Sequence, residues 1–255
     1  MKFNIFIEGR EPKYGNTIRI DKLIKKDFLI EYPIGSNCLT IDKEKIISHV
    51  FCDLEEFVDI LQEYLKIFID GPFEKITDAG IIEDNRMFGY TDRAVTLNYT
   101  HSFEKLYPSV KVFHLHGEIG KKIVLGIASD ENDSEDFINT DFIMFKKYFQ
   151  RVIHGTDEEY LSFLQNIKNL PKKMKRISLT VMGHSLDVSD RDIIVELFNV
   201  SDSITILYHC QSALETYVRN LVRIFGKRGL DELRATKDLK FCPLSKALSF
   251  TTEQG

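Results

Sequence analysis

The sequence predicts an α/β protein with a mostly parallel sheet flanked by helices and an additional helical portion. Between residues 177 and 226, short apolar runs alternate with helical patterns in the order strand, helix, strand, helix, which is typical of a parallel sheet covered by helices. Ahead of them, residues 44–70 repeat apolar side chains at the 3.6-residue period of one long amphipathic helix.

The N-terminal part of the chain contains short extended pieces before that helix. In the first 43 residues, runs rich in Ile and Phe are separated by Gly, Pro and Asn, which predicts strands or irregular β structure. The Asp-Gly-Pro sequence at 70–72 predicts the end of the helix. We expect residues 44–92 to form a helical subdomain inserted in a single domain that spans residues 1–255.

Strands and helices then alternate through the rest of the chain, because apolar β-branched runs predict buried strands and amphipathic runs predict helices. The predicted strands cover residues 93–99, 111–116, 122–127, 176–186 and 203–210. The predicted helices cover residues 133–155, 157–170, 189–199 and 212–226. Ser189, followed three residues later by Asp192, indicates a capping box, and Gly226 indicates a helix end.

Composition excludes several classes of protein. The hydrophobic content of 43% and charged content of 29% are ordinary for a globular protein. A net charge of -5 makes nucleic acid an improbable main partner, because phosphate neutralisation needs a basic surface. The four cysteines are scattered without a CxxC pair, and no run of about 18 residues is apolar and uncharged. We therefore expect a cytoplasmic protein without a disulfide framework, a cysteine-bound zinc or a membrane span.

Polar residues follow several of the predicted strands at their C-terminal ends. They are Asn98, His116, the Gly183-His184-Ser185 turn and His209. In open α/β sheets, ligands bind outside the carboxyl ends of the strands. The repetition of this pattern predicts a ligand cleft lined by these residues.

His114 and His116 stand two residues apart, so both side chains would lie on the same face of a strand. Three interpretations remain open: an H-x-H metal site, a general base or ligand-orienting imidazole, and two hydrogen-bonded structural histidines. Packing is the favoured interpretation for His114. His116 is the stronger functional candidate because Gly117 allows a backbone or a ligand to approach closely.

The turn at 182–190 also has two interpretations. It is either a strand, a glycine turn and a capped helix, or a nucleotide cradle at a helix N-terminus. The neighbouring acids Asp187, Asp190 and Asp192 disfavour a bare phosphate and suit hydroxyl groups such as those of a ribose.

These segments, taken together in their order, resemble a known family. "LNYTHSFEKLY", "FHLHG", "IVLGI" and "VMGHSLDVSD" resemble the AbiH family of bacteriophage abortive infection proteins, over residues 54 to 210. AbiH proteins are in turn distantly similar to sirtuin-type NAD-binding domains. The resemblance implies an AbiH-like α/β domain with a sirtuin- or Rossmann-like sheet, an antiphage role, and NAD or a related nucleotide as ligand or substrate, without a metal.

The resemblance also implies roles for individual residues. Asn98 would contact the nicotinamide ribose, and His116 would act as catalytic base or orienter. Gly183 and Ser185 would line the adenosine side. The rest of the implied nucleotide site consists of Tyr99, Gly117, His184 and Asp190.

The chain departs from the family pattern at its N-terminus. A "GNGFD"-like glycine loop normally wraps the phosphates, whereas this sequence has "FIEGREPKYGN". We expect either an N-terminally truncated domain or phosphates held in another way. The leading hypothesis is a nucleotide-binding, NAD-hydrolysing defence protein. The alternatives are a non-catalytic sensor module acting through a homo-oligomer or a partner chain, and a metal-dependent hydrolase or nuclease using His114 and His116.

Overall fold

The computed structural model describes residues 6–8, 22–24, 26–31, 39–78, 91–127, 140–171 and 176–245. The helices are α1 (Lys43–Leu65), α2 (Gly71–Asp78), α3 (Ser102–Leu106), α4 (Lys147–His154), α5 (Glu158–Asn169), α6 (Arg191–Val200) and α7 (Gln211–Thr236). The strands are β1 (Phe6–Glu8), β2 (Lys22–Ile24), β3 (Leu29–Glu31), β4 (Leu39–Ile41), β5 (Arg93–Thr96), β6 (Lys111–His114), β7 (Ser178–Val181), β8 (Ser203–Tyr208) and β9 (Leu239–Pro243).

The parallel strands are divided between two small sheets. Strands β7, β8 and β9 form a three-stranded parallel sheet in that order, and β5 pairs in parallel with β6. Two antiparallel pairs, β1 with β2 and β3 with β4, lie near the N-terminus. The α/β class and the parallel pairing are confirmed. The continuous sirtuin- or Rossmann-like sheet stays a prediction, and β9 was not predicted.

The three-stranded sheet carries the larger of two apolar cores. Ile204 and Ile206 alternate along β8 and are fully buried, as expected for inward-facing positions of a strand. They pack with Phe198 of α6 and Leu221 of α7 in one cluster. Burial of this cluster against α6 and α7 holds the sheet and both helices together.

A second core joins β6 to α5 and α6. Phe113 and Leu115 pack with Tyr160 and Leu164 of α5 and with Ile193 of α6. The next residue of α6, Ile194, belongs to the first core. Helix α6 therefore contributes to both cores and connects the two parallel sheets.

The long helix does not end where Asp-Gly-Pro predicted. It passes from α1 through a π-helical turn, Lys66–Asp70, and continues as α2. Pro72 is tolerated because it comes directly after the π-helical turn, where the regular i→i−4 bonding of the helix is already interrupted. The turn buries Asp70, whose carboxylate accepts from the backbone N–H of His101 at 3.1 Å and contacts its Nδ1 at 2.8 Å.

Several other elements differ from their predicted extents. Residues 122–127 form single β-bridges at Ile123 and Ile127 instead of a strand. The predicted helix at 133–155 contains the 3-10 segment Thr140–Phe145 followed by α4, and its residues before 140 lie outside the described part. The predicted helix end at Gly226 is confirmed, because Gly226 has the non-helical angles φ 70° and ψ 167° and separates two helical segments of α7.

Two predictions fall wholly or partly on residues outside the described ranges. Most of the "FIEGREPKYGN" segment lies there, as do residues 79–90 of the expected helical subdomain. No helix in the described part of the chain is long and apolar enough to cross a membrane.

The assignment of the larger core predicts a large loss of stability on truncating one residue of α7 and a small loss on truncating its neighbour. Leu221 is fully buried, whereas Val222 is 40% exposed. We expect Leu221→Ala to lower the free energy of unfolding by about 3 kcal/mol, through lost burial and a residual cavity. Val222→Ala, the matched control, should stay within about 0.5 kcal/mol of wild type. Urea denaturation followed by circular dichroism measures both, and equal losses would contradict the assignment.

Candidate functional site

A buried carboxylate, Asp190, is surrounded by four polar side chains. Asp190 is 5% exposed and accepts hydrogen bonds from Lys147 Nζ at 2.8 Å and from Ser189 Oγ at 3.1 Å. The Nε2 atoms of His116 and His184 face its two oxygens at 3.3 Å and 3.5 Å. We call these five residues the Asp190 centre.

The residues of this centre come from the ends of different elements. His116 lies two residues after β6, and His184 lies three residues after β7. Lys147 is the first residue of α4, and Asp190 is the N-cap residue of α6. The two histidines predicted at strand ends, although they follow strands of different sheets, are thus brought together on one carboxylate.

The start of α6 differs from the predicted capping box. Ser189 lies in a 3-10 turn, Val188–Asp190, and its hydroxyl donates to the Asp190 carboxylate. The Asp187 side chain accepts from the Ser189 backbone N–H at 2.9 Å. The capping-box prediction is wrong because the chain makes this extra turn before α6 begins.

Hydrogen bonding fixes the proton of His184. The backbone N–H of Leu186 donates to its Nδ1 at 2.9 Å, so Nδ1 is unprotonated. The ring proton of the neutral imidazole is then on Nε2, the nitrogen that faces Asp190. This arrangement orients His184 toward the carboxylate.

The backbone of the 183–186 turn adopts left-handed conformations at both ends. Gly183 has a φ of 69°, and Leu186 has a φ of 53°, which is unusual for a bulky residue. Leu186 is held there because its side chain is 1% exposed and packs in the larger core. Asn220 Nδ2 also donates to the Ser185 carbonyl at 2.9 Å. Such strain clusters at functional sites.

His116 is buried without a well-formed hydrogen bond at Nε2. The residue is 4% exposed, and although Nε2 lies 3.3 Å from Asp190 Oδ1, it has no hydrogen-bond partner of acceptable geometry. Buried polar atoms are rarely left in this state, and those that are require an explanation.

Burial by itself would raise the pKa of the Asp190 carboxyl. The facing imidazoles of His116 and His184, together with the hydrogen bond and charge of Lys147, outweigh burial and hold this pKa well below its usual range. Asp190 is therefore ionised at neutral pH, and it gives the centre a buried negative charge.

Tyr99 extends the centre toward residue 124. Its hydroxyl donates to the Val124 carbonyl at 2.9 Å. Burial, followed by the charge of Asp190, raises the pKa of Tyr99, so the phenol stays protonated at neutral pH.

Asn98 and His114 lie in a separate polar group. The carbonyl of Asn98 lies 3.0 Å from His114 Nδ1, and the Asn98 backbone N–H donates to Thr96 Oγ1 at 3.1 Å. His114 Nε2 is paired with Glu104. Burial opposes the charged form of His114, but the bond to Glu104 and its charge prevail and raise the pKa of His114.

The two histidines do not share a metal site. Strand β6 ends at His114, so the alternation of side chains along a strand does not extend to His116. The two rings accordingly contact different carboxylates, Glu104 and Asp190. Among the described residues, no group of three or more His, Cys, Asp or Glu side chains is placed to hold a metal ion.

Gly117 is needed for contact within the chain. Its φ is 77°, and a Cβ atom there would lie 1.8 Å from the Lys122 carbonyl oxygen. Gly117 bridges Ile123 in the antiparallel sense, so the segment at 122–123 passes directly over it. A contact between Gly117 and a nucleotide stays a prediction.

Comparison with known proteins identifies the family. Residues 31–209 match the family described as "Bacteriophage abortive infection AbiH". The chain belongs to the AbiH family. This membership supports a role in abortive infection and confirms the resemblance found in the sequence motifs. No curated protein and no solved structure matches the chain.

The large clefts of this AbiH chain do not coincide with the predicted ligand cleft. Two clefts, with volumes of about 630 Å³ and about 720 Å³, lie between α1 and residues 119–125. Asn98, His116 and Ser185 line neither of them. His116 Nε2 and Lys147 Nζ both face the same oxygen of Asp190, Oδ1.

Sequence reasoning missed Lys147 and the role of Ser189. Lys147 belongs to "FIMFKKYF", where two lysines interrupt an apolar run. A lysine in such a run is expected to be buried only with an acidic partner, and this signal could have identified it. The partner itself, 43 residues away, could not be read from the pattern.

The close approach at Gly117 predicts a loss of stability on adding one methyl group. Gly120 is the matched control, since its φ is 83° and nothing lies within 4 Å of a Cβ there. Gly120→Ala should cost about 1 kcal/mol, through backbone conformation alone. Gly117→Ala should cost at least about 2 kcal/mol more, through the clash with Lys122. Chemical denaturation measures the difference, and equal costs would contradict the close approach.

The buried charge of Asp190 predicts a pH-dependent stability. The folded-state pKa lies below the unfolded value of about 3.9, so the stabilisation is complete above that value and is lost as pH falls through the folded-state pKa. Asp190→Asn should therefore reduce the free energy of unfolding by about 3 kcal/mol at pH 7 and flatten its decline in acid.

An exposed Asp–Lys ion pair, with an N–O distance close to that between Lys147 and Asp190, is the control for this prediction. Asp238 Oδ2 lies 2.7 Å from Lys240 Nζ, with both side chains more than half exposed. Asp238→Asn should change stability by less than about 1 kcal/mol, because solvent screens the pair. Denaturation curves recorded across the acid range distinguish the two, and an unchanged pH slope in Asp190→Asn would disprove the assignment.

Proposed function

We propose that this AbiH chain acts in abortive infection by binding NAD or a related nucleotide beside the Asp190 centre and hydrolysing its bond to nicotinamide. The observation that supports this most directly is the meeting of His116 and His184 on the buried carboxylate of Asp190, at the carboxyl ends of β6 and β7. Ligands of open α/β folds bind at such strand ends.

The proposed reaction breaks the carbon–nitrogen bond between the ribose and nicotinamide. Water attacks the anomeric carbon as this bond breaks, and the transition state has oxocarbenium character. Nicotinamide leaves as a neutral molecule with the bonding electron pair. His116 accepts the proton of the attacking water, so the products are ADP-ribose, nicotinamide and one proton.

Asp190 would orient His116 and stabilise its charged form. A neutral imidazole that faces a carboxylate carries its proton on the facing nitrogen, which leaves the other nitrogen as proton acceptor. Once His116 accepts a proton, the adjacent carboxylate stabilises the imidazolium, as the ionised aspartate does in other His–Asp pairs. Lys147 would keep Asp190 ionised and in place.

Exposed residues that neighbour Tyr99 and His184 in the sequence supply groups suited to a ribose. Asn98 is exposed, and its side-chain amide makes no hydrogen bond to the described residues, so it can bind a hydroxyl. Gly183 is exposed, and the space where its Cβ would lie is empty, which permits close approach of a ligand. Ser185 is exposed beside it.

A second candidate function is nucleotide sensing without catalysis. Its support is the burial of His116, which is 4% exposed, and the pairing of Asp190 with Lys147 and Ser189. These bonds would hold the site closed until a ligand or a phage component breaks them.

The decisive experiment measures binding and nicotinamide release separately on the purified full chain. Calorimetry measures NAD affinity, and chromatography with mass spectrometry measures nicotinamide. His116→Ala should lower the release rate by about 100-fold or more while retaining NAD binding, because only proton transfer is lost. Asn98→Ala should weaken binding. Glu232→Ala is the control, since Glu232 is exposed on α7 and outside the centre.

Each result selects one function. Binding with release that depends on His116 supports hydrolysis. Binding without release supports sensing, and neither binding nor release would reject the nucleotide proposal. Phage plating with the same variants in cells tests whether protection requires His116.

A further inference from the structure

The outer face of α1 and the π-helical turn carries a row of exposed apolar side chains. We call Phe57, Ile60, Tyr64, Ile67 and Phe68 the apolar stripe. Four of them, Ile60, Tyr64, Ile67 and Phe68, are 66%, 53%, 58% and 60% exposed. Helix α1 contains no fully buried residue. Contiguous exposed apolar surface of this kind marks an interaction site.

The stripe is ordered by its own spacing and ring contacts. Phe57, Ile60, Tyr64 and Ile67 are separated by three, four and three residues, which aligns them along one side of a helix. The rings of Tyr64 and Phe68 lie 5.0 Å apart between centroids. A partner would therefore meet a preformed surface, and binding would cost little side-chain entropy.

The surface beside the stripe is acidic. Residues 46–65 contain no Lys or Arg. The exposed acids next to the stripe are Glu56 and Glu63, which stand one helical turn from Ile60. Glu63 lies 4.0 Å from the exposed Lys66, and Glu55 and Asp59 line the cleft toward residues 120–123. A two-fold pairing of α1 with itself would bring like charges together, so the complementary partner is an apolar surface with basic residues.

Such a surface exists on α7 of the same chain. Val218 and Val222 are 36% and 40% exposed and stand one helical turn apart. Residues 216–230 contain no Asp or Glu. The exposed basic residues here are Arg219, Arg223, Lys227 and Arg228, and none has an ion pair or a hydrogen bond with a side chain in the described part of the chain.

The two surfaces pack on different parts of the fold. Helix α1 contacts the Thr140–Phe145 segment, and α7 contacts α6, β8 and β9. We propose that the apolar stripe of one copy packs against the basic face of α7, defined by Val218, Arg219, Val222 and Arg223, on a second copy. The contact is heterologous: one copy keeps its basic face and the other keeps its apolar stripe. The assembly therefore extends head to tail into a ring or a filament.

Light scattering after size exclusion tests this proposal on the full chain. The wild type should show a mass above that of one 29.6 kDa chain, rising with protein concentration and falling with salt as charges are screened. Two double variants reverse one surface each: Glu56→Arg with Glu63→Arg on α1, and Arg219→Glu with Arg223→Glu on α7. Each variant alone should be monomeric, because its two surfaces then carry like charge.

Mixing the two double variants provides the most discriminating mass measurement. An equimolar mixture of the two variants restores opposite charges across every contact, so the mixture should regain mass although neither component assembles. Glu232→Arg, an exposed change on α7 beyond the basic face, is the control and should leave the wild-type mass unchanged. Circular dichroism melts should match wild type for all variants, since the altered side chains are exposed.

A wild type that stays monomeric up to its solubility limit would overturn the proposal. So would variants that retain the wild-type mass, or a mixture of folded variants that stays monomeric. Activity and NAD binding are not needed for any of these measurements, so the result does not depend on the proposed function.

Discussion

The buried negative charge of Asp190 is the constraint on which the arrangement of the site depends. Taking a carboxylate out of water costs several kcal/mol unless charges and hydrogen bonds in the protein replace the solvent. Here the replacement comes from Lys147, Ser189, His116 and His184, which belong to separate elements. Because each of these elements must be in place to satisfy one group, the carboxylate specifies how the two parallel sheets meet. Asp190 is the N-cap residue of helix α6, which contributes to both cores. The bonds of this carboxylate therefore also help to fix the position of one sheet relative to the other.

The same constraint explains why a strained turn persists beside the site. The 183–186 turn holds Leu186 at a φ of 53°, a conformation that costs about 1 kcal/mol or more in a bulky residue. Burial of the Leu186 side chain offsets this cost, and its backbone N–H orients His184 toward Asp190. Strain, core packing and the proton position of one imidazole are therefore linked within four residues. A change that relaxes the turn would also turn His184 away from the carboxylate.

The sequence predicted local features well and long-range pairings poorly, for a physical reason. Strands β5, β6, β7 and β8 and the placement of His116 and His184 after strand ends follow from patterns a few residues long. The partners of those histidines do not follow from such short patterns. The bond between Lys147 and Asp190 spans 43 residues, and the close approach over Gly117 depends on where the 122–123 segment crosses. The glycine was correctly read as a point of close contact, but the group that approaches it is the chain itself. The π-helical turn was not predicted, because an Asp-Gly-Pro sequence is also typical of a helix end.

That π-helical turn connects the outer face of α1 with the predicted nucleotide residues. It leaves Ile67 and Phe68 exposed while burying Asp70 on the opposite side. The Asp70 carboxylate binds the backbone and ring of His101, whose Nε2 lies 2.9 Å from Glu118. His101 stands two residues after Tyr99 and three after Asn98, so a continuous series of bonds leads from the stripe to this strand end. If assembly through the stripe changes nucleotide affinity, linkage requires that nucleotide changes the assembly constant by the same factor.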